Sequence, residues 1–137
     1  MTVPAGRARF GLLFIAGIIS SLGFAPWNFW PLTLIGLAWL IRETAPTETA
    51  RQAAKAGWVF GFGHFLLGTH WIAQAFQYQQ DMPAWTGWVG VVLLSAYLAV
   101  FPAMTVAAAR RFGAGLPLVL GFAGCWTIAE ALRGVLF

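Results

Sequence analysis

The sequence predicts an all-α fold, a polytopic transmembrane helix bundle of about five spans. Three observations predict it. Hydrophobic residues fill 60% of the 137 positions and charged residues 9%, with a mean hydropathy of +0.76; an average soluble domain is roughly one quarter charged. The apolar residues gather in runs approaching the length of about 20 residues that a bilayer selects. The charges stand in ones and twos between those runs.

The first run, 10–25, follows Arg7 and Arg9 and resembles a signal peptide. Its context opposes cleavage: Pro26 comes directly after Ala25, and Trp27-Asn28-Phe29-Trp30 is bulky where small residues are needed. An uncleaved span is expected, although 16 residues reach only roughly 24 Å. The next run, 32–41, is shorter still, so the pair reads as two short tilted spans or a hairpin, with Pro26, Trp27, Trp30 and Pro31 as an aromatic turn at the membrane interface. Residues 42–55 hold Arg42, Glu43, Glu48, Arg51 and Lys55 and are expected as a loop in water. The third span is placed at 56–76, ending in a polar turn over residues 77–83. The fourth, 85–109, carries Pro102 as a kink and stops at Arg110-Arg111, and the fifth occupies 116–135. All 137 residues read as a single transmembrane domain.

Eight basic and four acidic residues give a formal charge of +4. Placement excludes a nucleic-acid partner, because the cations form no stripe that could follow a phosphate backbone. They mark topology instead. With the N-terminus in the cytoplasm, Arg7, Arg9, Arg42, Arg51, Lys55, Arg110 and Arg111 lie inside and Arg133 alone lies near the outside. The C-terminus is then extracytoplasmic, and the chain is expected as a multi-pass membrane protein.

Little in the sequence carries chemistry. Gly57, Gly61 and Gly68, with His64 among them, follow a spacing of four, three and four that places them on one helical face, a packing groove with a GxxxG step. His64 and His70 are six apart and lack the i, i+4 spacing of a helical metal site, so no metal is expected. Cys125, the sole cysteine, excludes an internal disulfide and sits in an apolar run where its thiol is inert. Glu130 and Arg133 share a face in the favourable order for an ion pair. Ionisable groups at membrane depth are costly and are usually paired or functional. The two readings are a structural lock for the bundle, or a site that also orders the departing chain or binds a lipid headgroup.

The order Gly23-Phe24-Ala25-Pro26, Trp30-Pro31, Gly57-x-x-x-Gly61-x-Gly63, Trp71, Met82-Pro83, Ala96-Tyr97-Leu98, Trp126 and Glu130-Ala131-Leu132-Arg133-Gly134 resembles the membrane portion of the apolipoprotein N-acyltransferase family, over nearly the whole chain. The resemblance implies a bacterial inner-membrane enzyme that moves a phospholipid acyl chain, through a cysteine thioester, onto the N-terminal diacylglyceryl-cysteine of an apolipoprotein. It implies a Glu, Lys and Cys triad in an extracytoplasmic nitrilase-like domain. Residues 1–137 stop before that domain, Cys125 and Lys55 do not correspond to triad members, and no catalytic residue is carried over. The expectation is therefore a membrane-anchoring segment, inactive alone and without cofactor. Its partners are membrane phospholipids, with the apolipoprotein substrate met only in the full-length enzyme. Two other readings remain: a stand-alone membrane scaffold or lipid-binding bundle, and a transporter subunit, which would carry midplane charges and an internal repeat.

Overall fold

A helix that must bury its backbone in apolar surroundings gains most when small residues let a neighbour approach closely. The chain uses this device at nearly every crossing. The structure, a computed structural model, describes residues 6–78 and 83–136, leaving aside the side chains of Arg7 and Ala84. Among the described residues it is all-helical: α1 Gly6–Ser21, α2 Trp30–Thr44, α3 Ala50–Gly68, a short α4 Trp71–Phe76, α5 Ala84–Leu98, α6 Val100–Ala109, a 3-10 turn Arg110–Phe112, and α7 Leu116–Leu136.

Helix α3 is the hub. Against α1 the contact is reciprocal: a methyl group placed at Gly17 would lie 2.0 Å from the Phe60 carbonyl oxygen, and one at Gly63 would lie 2.4 Å from that of Phe14. On its other side, Gly57 and Gly61 receive α6, where added methyl groups would meet the Pro102 carbonyl at 2.6 Å and the Pro102 ring at 2.8 Å. Gly36 brings α2 onto Ser20 of α1 in the same way. Leu13, Leu40, Ala53, Ala56, Phe60, Val106, Ala109, Leu118 and Phe122 fill the space that these crossings enclose.

Among the described residues, two helices are long and apolar enough to cross a membrane: the rod Trp85–Phe112, 28 residues with mean hydropathy 2.1, and Leu116–Leu136, 21 residues at 1.3. The rod is interrupted at Ala99, three residues before Pro102, whose missing N–H and bulky ring disturb the preceding turn. Hydroxyls inside the helices bond to their own backbone, Thr44 to the Leu40 carbonyl, Thr105 to Phe101 and Thr127 to Ala123, which meets their hydrogen-bonding need without water.

Several boundaries correct the sequence reading. The first helix stops at Ser21 rather than residue 25, because Gly23 to Asn28 fold into a turn closed by the Phe29 N–H on the Leu22 carbonyl at 3.0 Å. Helix α2 outruns 32–41 at both ends, starting with Pro31 in its first turn. The expected watery loop 42–55 shrinks to residues 45–49. Thr49 caps α3 by accepting the Gln52 N–H at 3.2 Å, so Ala50 to Lys55 are helical, and Glu43, Thr44, Thr47 and Ala53 are buried. The third run is broken at Thr69–His70 into α3 and α4. Residues 79–82, in the expected turn over 77–83, lie outside the described residues.

The buried end explains that shrinkage. Arg9 Nε donates to Glu43 Oε2 at 2.9 Å, and a second guanidinium N–H reaches the Glu43 carbonyl. Arg110 donates from Nε to the Thr47 carbonyl at 2.9 Å and from Nη2 to that of Glu48. Two arginines thus tie α1 to the end of α2, and the end of α6 to the α2–α3 turn.

The glycine contacts generate a prediction. Gly17→Ala should push a methyl into the Phe60 carbonyl and cost about 1–3 kcal/mol, the range for overpacking. Gly68→Ala, exposed and with open space around it, should be neutral or stabilise by up to about 1 kcal/mol. Unfolding of both variants in detergent, followed by circular dichroism, checks the contrast.

Candidate functional site

Opposite the arginine-tied end, the C-termini of α1, α3 and α7 bring polar groups together under a layer of aromatic rings. Ser20 is fully buried in the last turn of α1, and its Oγ donates to the Gly17 carbonyl at 2.8 Å. That hydroxyl has one proton, so it serves as acceptor for His64 Nδ1, 2.7 Å away on α3. The Ser20 carbonyl in turn accepts from Thr33 Oγ1 of α2 at 2.8 Å. Ser20 therefore joins three helices.

The fourth comes from α7. Arg133 forms an ion pair with Glu130 one turn before it, and its guanidinium carbon lies 5.6 Å from the centre of the Phe65 ring, within cation–π range. Phe65 is also edge-on to His64 at 5.1 Å. The cluster is thus Ser20, His64, Phe65, Glu130 and Arg133. Both partners of the ion pair keep more than a third of their side-chain surface exposed, so the pair contributes little stability by itself. The Arg133 Nε is buried with no hydrogen-bond partner among the described residues. An unmade bond at a buried donor is costly, and more so for a charged group.

Around the cluster lie the expected turn residues. Pro26, Trp27, Trp30 and Pro31 are all exposed, and Phe24 stands edge-on to His64 at 5.5 Å. Trp27 faces His70 at 6.2 Å. With Trp71, Trp85 and Trp88, also exposed, they place large aromatic rings at this end, where such rings favour a membrane–water interface.

The single groove expected from Gly57, Gly61, His64 and Gly68 is not what the structure contains. Gly57 and Gly61 face α6, His64 faces α1, and Gly68 has open space where a side chain would stand. The correction has a simple cause: α3 is surrounded, so a face about 60° wide is split between two partners. Cys125 is a half-buried free thiol in α7. Among the described residues, no three His, Cys, Asp or Glu side chains gather closely enough to hold a metal.

Sequence reasoning missed Ser20, Thr33 and Phe65. The signal available was Ser20-Ser21 at the end of an otherwise apolar run. It identifies a polar pair but not its partner 44 residues away.

Ser20→Ala should remove the Ser20–His64 hydrogen bond and cost about 1–3 kcal/mol. Ser21→Ala, which removes only a hydroxyl donating to the Ile18 carbonyl, should cost well under half of that. Paired thermal melts in detergent decide it; equal losses would remove the Ser20–His64 bond from the account.

Comparison with known proteins follows the same outline. Residues 16–137 match the family described as the apolipoprotein N-acyltransferase N-terminal domain. Over 98% of its length the chain is 36% identical to the apolipoprotein N-acyltransferase of Ralstonia nicotianae, covering 27% of that protein. Over 94% it is 39% identical to the enzyme of the same name from Rhodopseudomonas palustris, covering 25% of it, and over 97% it is 36% identical to that of Sinorhizobium medicae, covering 27%. The chain therefore spans about a quarter of the length of these relatives. By the match across nearly all of its helices, the chain belongs to the apolipoprotein N-acyltransferase N-terminal domain family.

Proposed function

We propose that these residues form the membrane-anchoring part of an apolipoprotein N-acyltransferase, an enzyme that transfers a phospholipid acyl chain to the N-terminal diacylglyceryl-cysteine of apolipoproteins. In this reading α1, α2, α3, the rod from α5 through α6, and α7 make five passes of a bacterial inner membrane. The N-terminus is cytoplasmic and the C-terminus extracytoplasmic. Helices of 15 to 19 residues reach roughly 22–28 Å, so α1 to α3 cross where the hydrocarbon layer is thinned or the helix ends snorkel.

The observation that carries the proposal is the segregation of chemistry along the helix axes. Seven of eight basic residues fall at one end, and Arg133 with the aromatic turns falls at the other. Cation-rich short loops stay inside. The Ser20, His64, Arg133 cluster is then at the outer surface, beside the point where the chain leaves α7. There the uncommitted Arg133 Nε–H suits a phosphate oxygen of a lipid headgroup, with exposed Trp and Phe rings lining the approach of the acyl chains.

The segment supplies position, not nucleophile. Among the described residues no hydrogen bond joins a base to the Cys125 thiol, and Lys55 lies near the start of α3, at the arginine-tied end of the bundle. Acyl transfer would be the work of the longer enzyme, through a Glu, Lys and Cys triad in a nitrilase-like domain held near the outer leaflet.

Arg133→Ala in an intact family member containing this segment should lower kcat/KM for acyl transfer about 10- to 100-fold, the equivalent of about 1.5–3 kcal/mol for a hydrogen bond to a charged group. Arg133→Lys should recover part of the loss. A labelled-phospholipid assay with melting-temperature controls tests it: wild-type turnover in Arg133→Ala would end the proposed role.

A further inference from the structure

At the arginine-tied end two cavities meet. One, of about 440 Å³, is lined by Arg9, Phe10, Pro46, Thr47, Glu48, Gln52 and Lys55. The second, of about 200 Å³, is lined by Phe10, Lys55, Trp58 and Val59. Phe10 and Lys55 border both. From the second cavity the apolar track continues along the bundle, since Trp58 stacks on Phe62 at 5.2 Å and 3°, and Phe62 packs on Phe14 at 6.1 Å. Trp58 is fixed in that orientation by donating its Nε1–H to the Ala96 carbonyl at 3.1 Å.

The charged residues lining the polar cavity are Arg9 and Lys55 against Glu48, and at this end of the helices as a whole Arg7, Arg9, Arg42, Arg51, Lys55, Arg110 and Arg111 stand against Glu43 and Glu48. Glu43 is spent on Arg9, and Arg110 is bound to the backbone of Thr47 and Glu48. Lys55 is exposed, and none of the hydrogen bonds or ion pairs in the described structure uses it. Positive charge is therefore in excess at this end, and Lys55 beside the cavity is open to an anion.

We propose that this pair of cavities is a binding site for an anionic phospholipid, with the phosphodiester against Lys55 and one acyl chain along Phe10, Trp58 and Phe62. A polar cavity at the ends of the helices, opening into an apolar groove parallel to them, fits an amphiphile; a free anion would leave the groove unused. A headgroup without its own cation suits this excess of positive charge, whereas a choline headgroup would add a positive charge to an already positive end. The site is remote from Ser20, His64 and Arg133. It depends on the helices lying in a bilayer but not on acyl transfer.

The test uses the purified chain in detergent and native mass spectrometry. Phosphatidylglycerol, phosphatidylcholine of the same acyl chains, and the deacylated headgroup glycerophosphoglycerol are offered in turn. One phosphatidylglycerol should be retained per chain, at least tenfold more tightly than phosphatidylcholine, and glycerophosphoglycerol should not displace it. Lys55→Gln should lose that retention at least tenfold with an unchanged melting temperature, and Lys55→Arg should keep it. Equal retention of the two lipids, unchanged retention in Lys55→Gln, or displacement by the headgroup alone would overturn the proposal. No acyltransferase activity is read, so failure here leaves the proposed function standing, and failure of that function leaves this site standing.

Discussion

The architecture depends on how closely backbones approach α3. At Gly17, Gly57, Gly61 and Gly63 there is no room for a single methyl group. Such contact is unusual where side chains separate helices by 8–10 Å, and it compensates for the weak driving force between helices in an apolar solvent, where tails solvate leucine as well as leucine does. Once α3 holds α1 on one side and α6 on the other, the positions of the polar residues at both ends follow.

Those two ends are chemically unlike. At one, Arg9 and Arg110 bind a buried carboxylate and three backbone carbonyls, so that the polar turn between α2 and α3 is drawn against the bundle. At the other, Ser20 receives His64 and Thr33 while Arg133 approaches over Phe65. In the first arrangement both the Arg9 and the Arg110 guanidinium groups are committed. The second leaves a buried guanidinium N–H uncommitted. A fully satisfied polar network stiffens a structure, and a partly satisfied one points to what is missing.

Much of the helical plan was legible from the apolar runs and their punctuation, because a helix of minimum length and a charged boundary are local properties. Pro102 signalled the interruption that appears at Ala99, and Glu130 with Arg133 signalled the ion pair, both within one or two turns of chain. What stayed hidden was long-range. The Arg9–Glu43 pair spans 34 residues and buries Glu43 at the edge of a segment that is otherwise mostly exposed. Ser20 finds His64 across 44 residues, and the division of the α3 glycines between α1 and α6 depends on which neighbours arrive, which no period in α3 can state. The N-cap at Thr49 was local and readable, and overlooking it misplaced the start of α3.

The central claim is a membrane bundle with its cationic end inside and the Ser20, His64, Arg133 end outside. Labelling of single cysteines tests it most directly, in a Cys125→Ser background that removes the sole native thiol. Asn28→Cys in the aromatic turn and Ala45→Cys in the α2–α3 turn are both exposed positions. A membrane-impermeant maleimide applied to spheroplasts should modify Asn28→Cys at once and Ala45→Cys only after permeabilisation. Immediate labelling of Ala45→Cys, or protection of Asn28→Cys until lysis, would contradict the account.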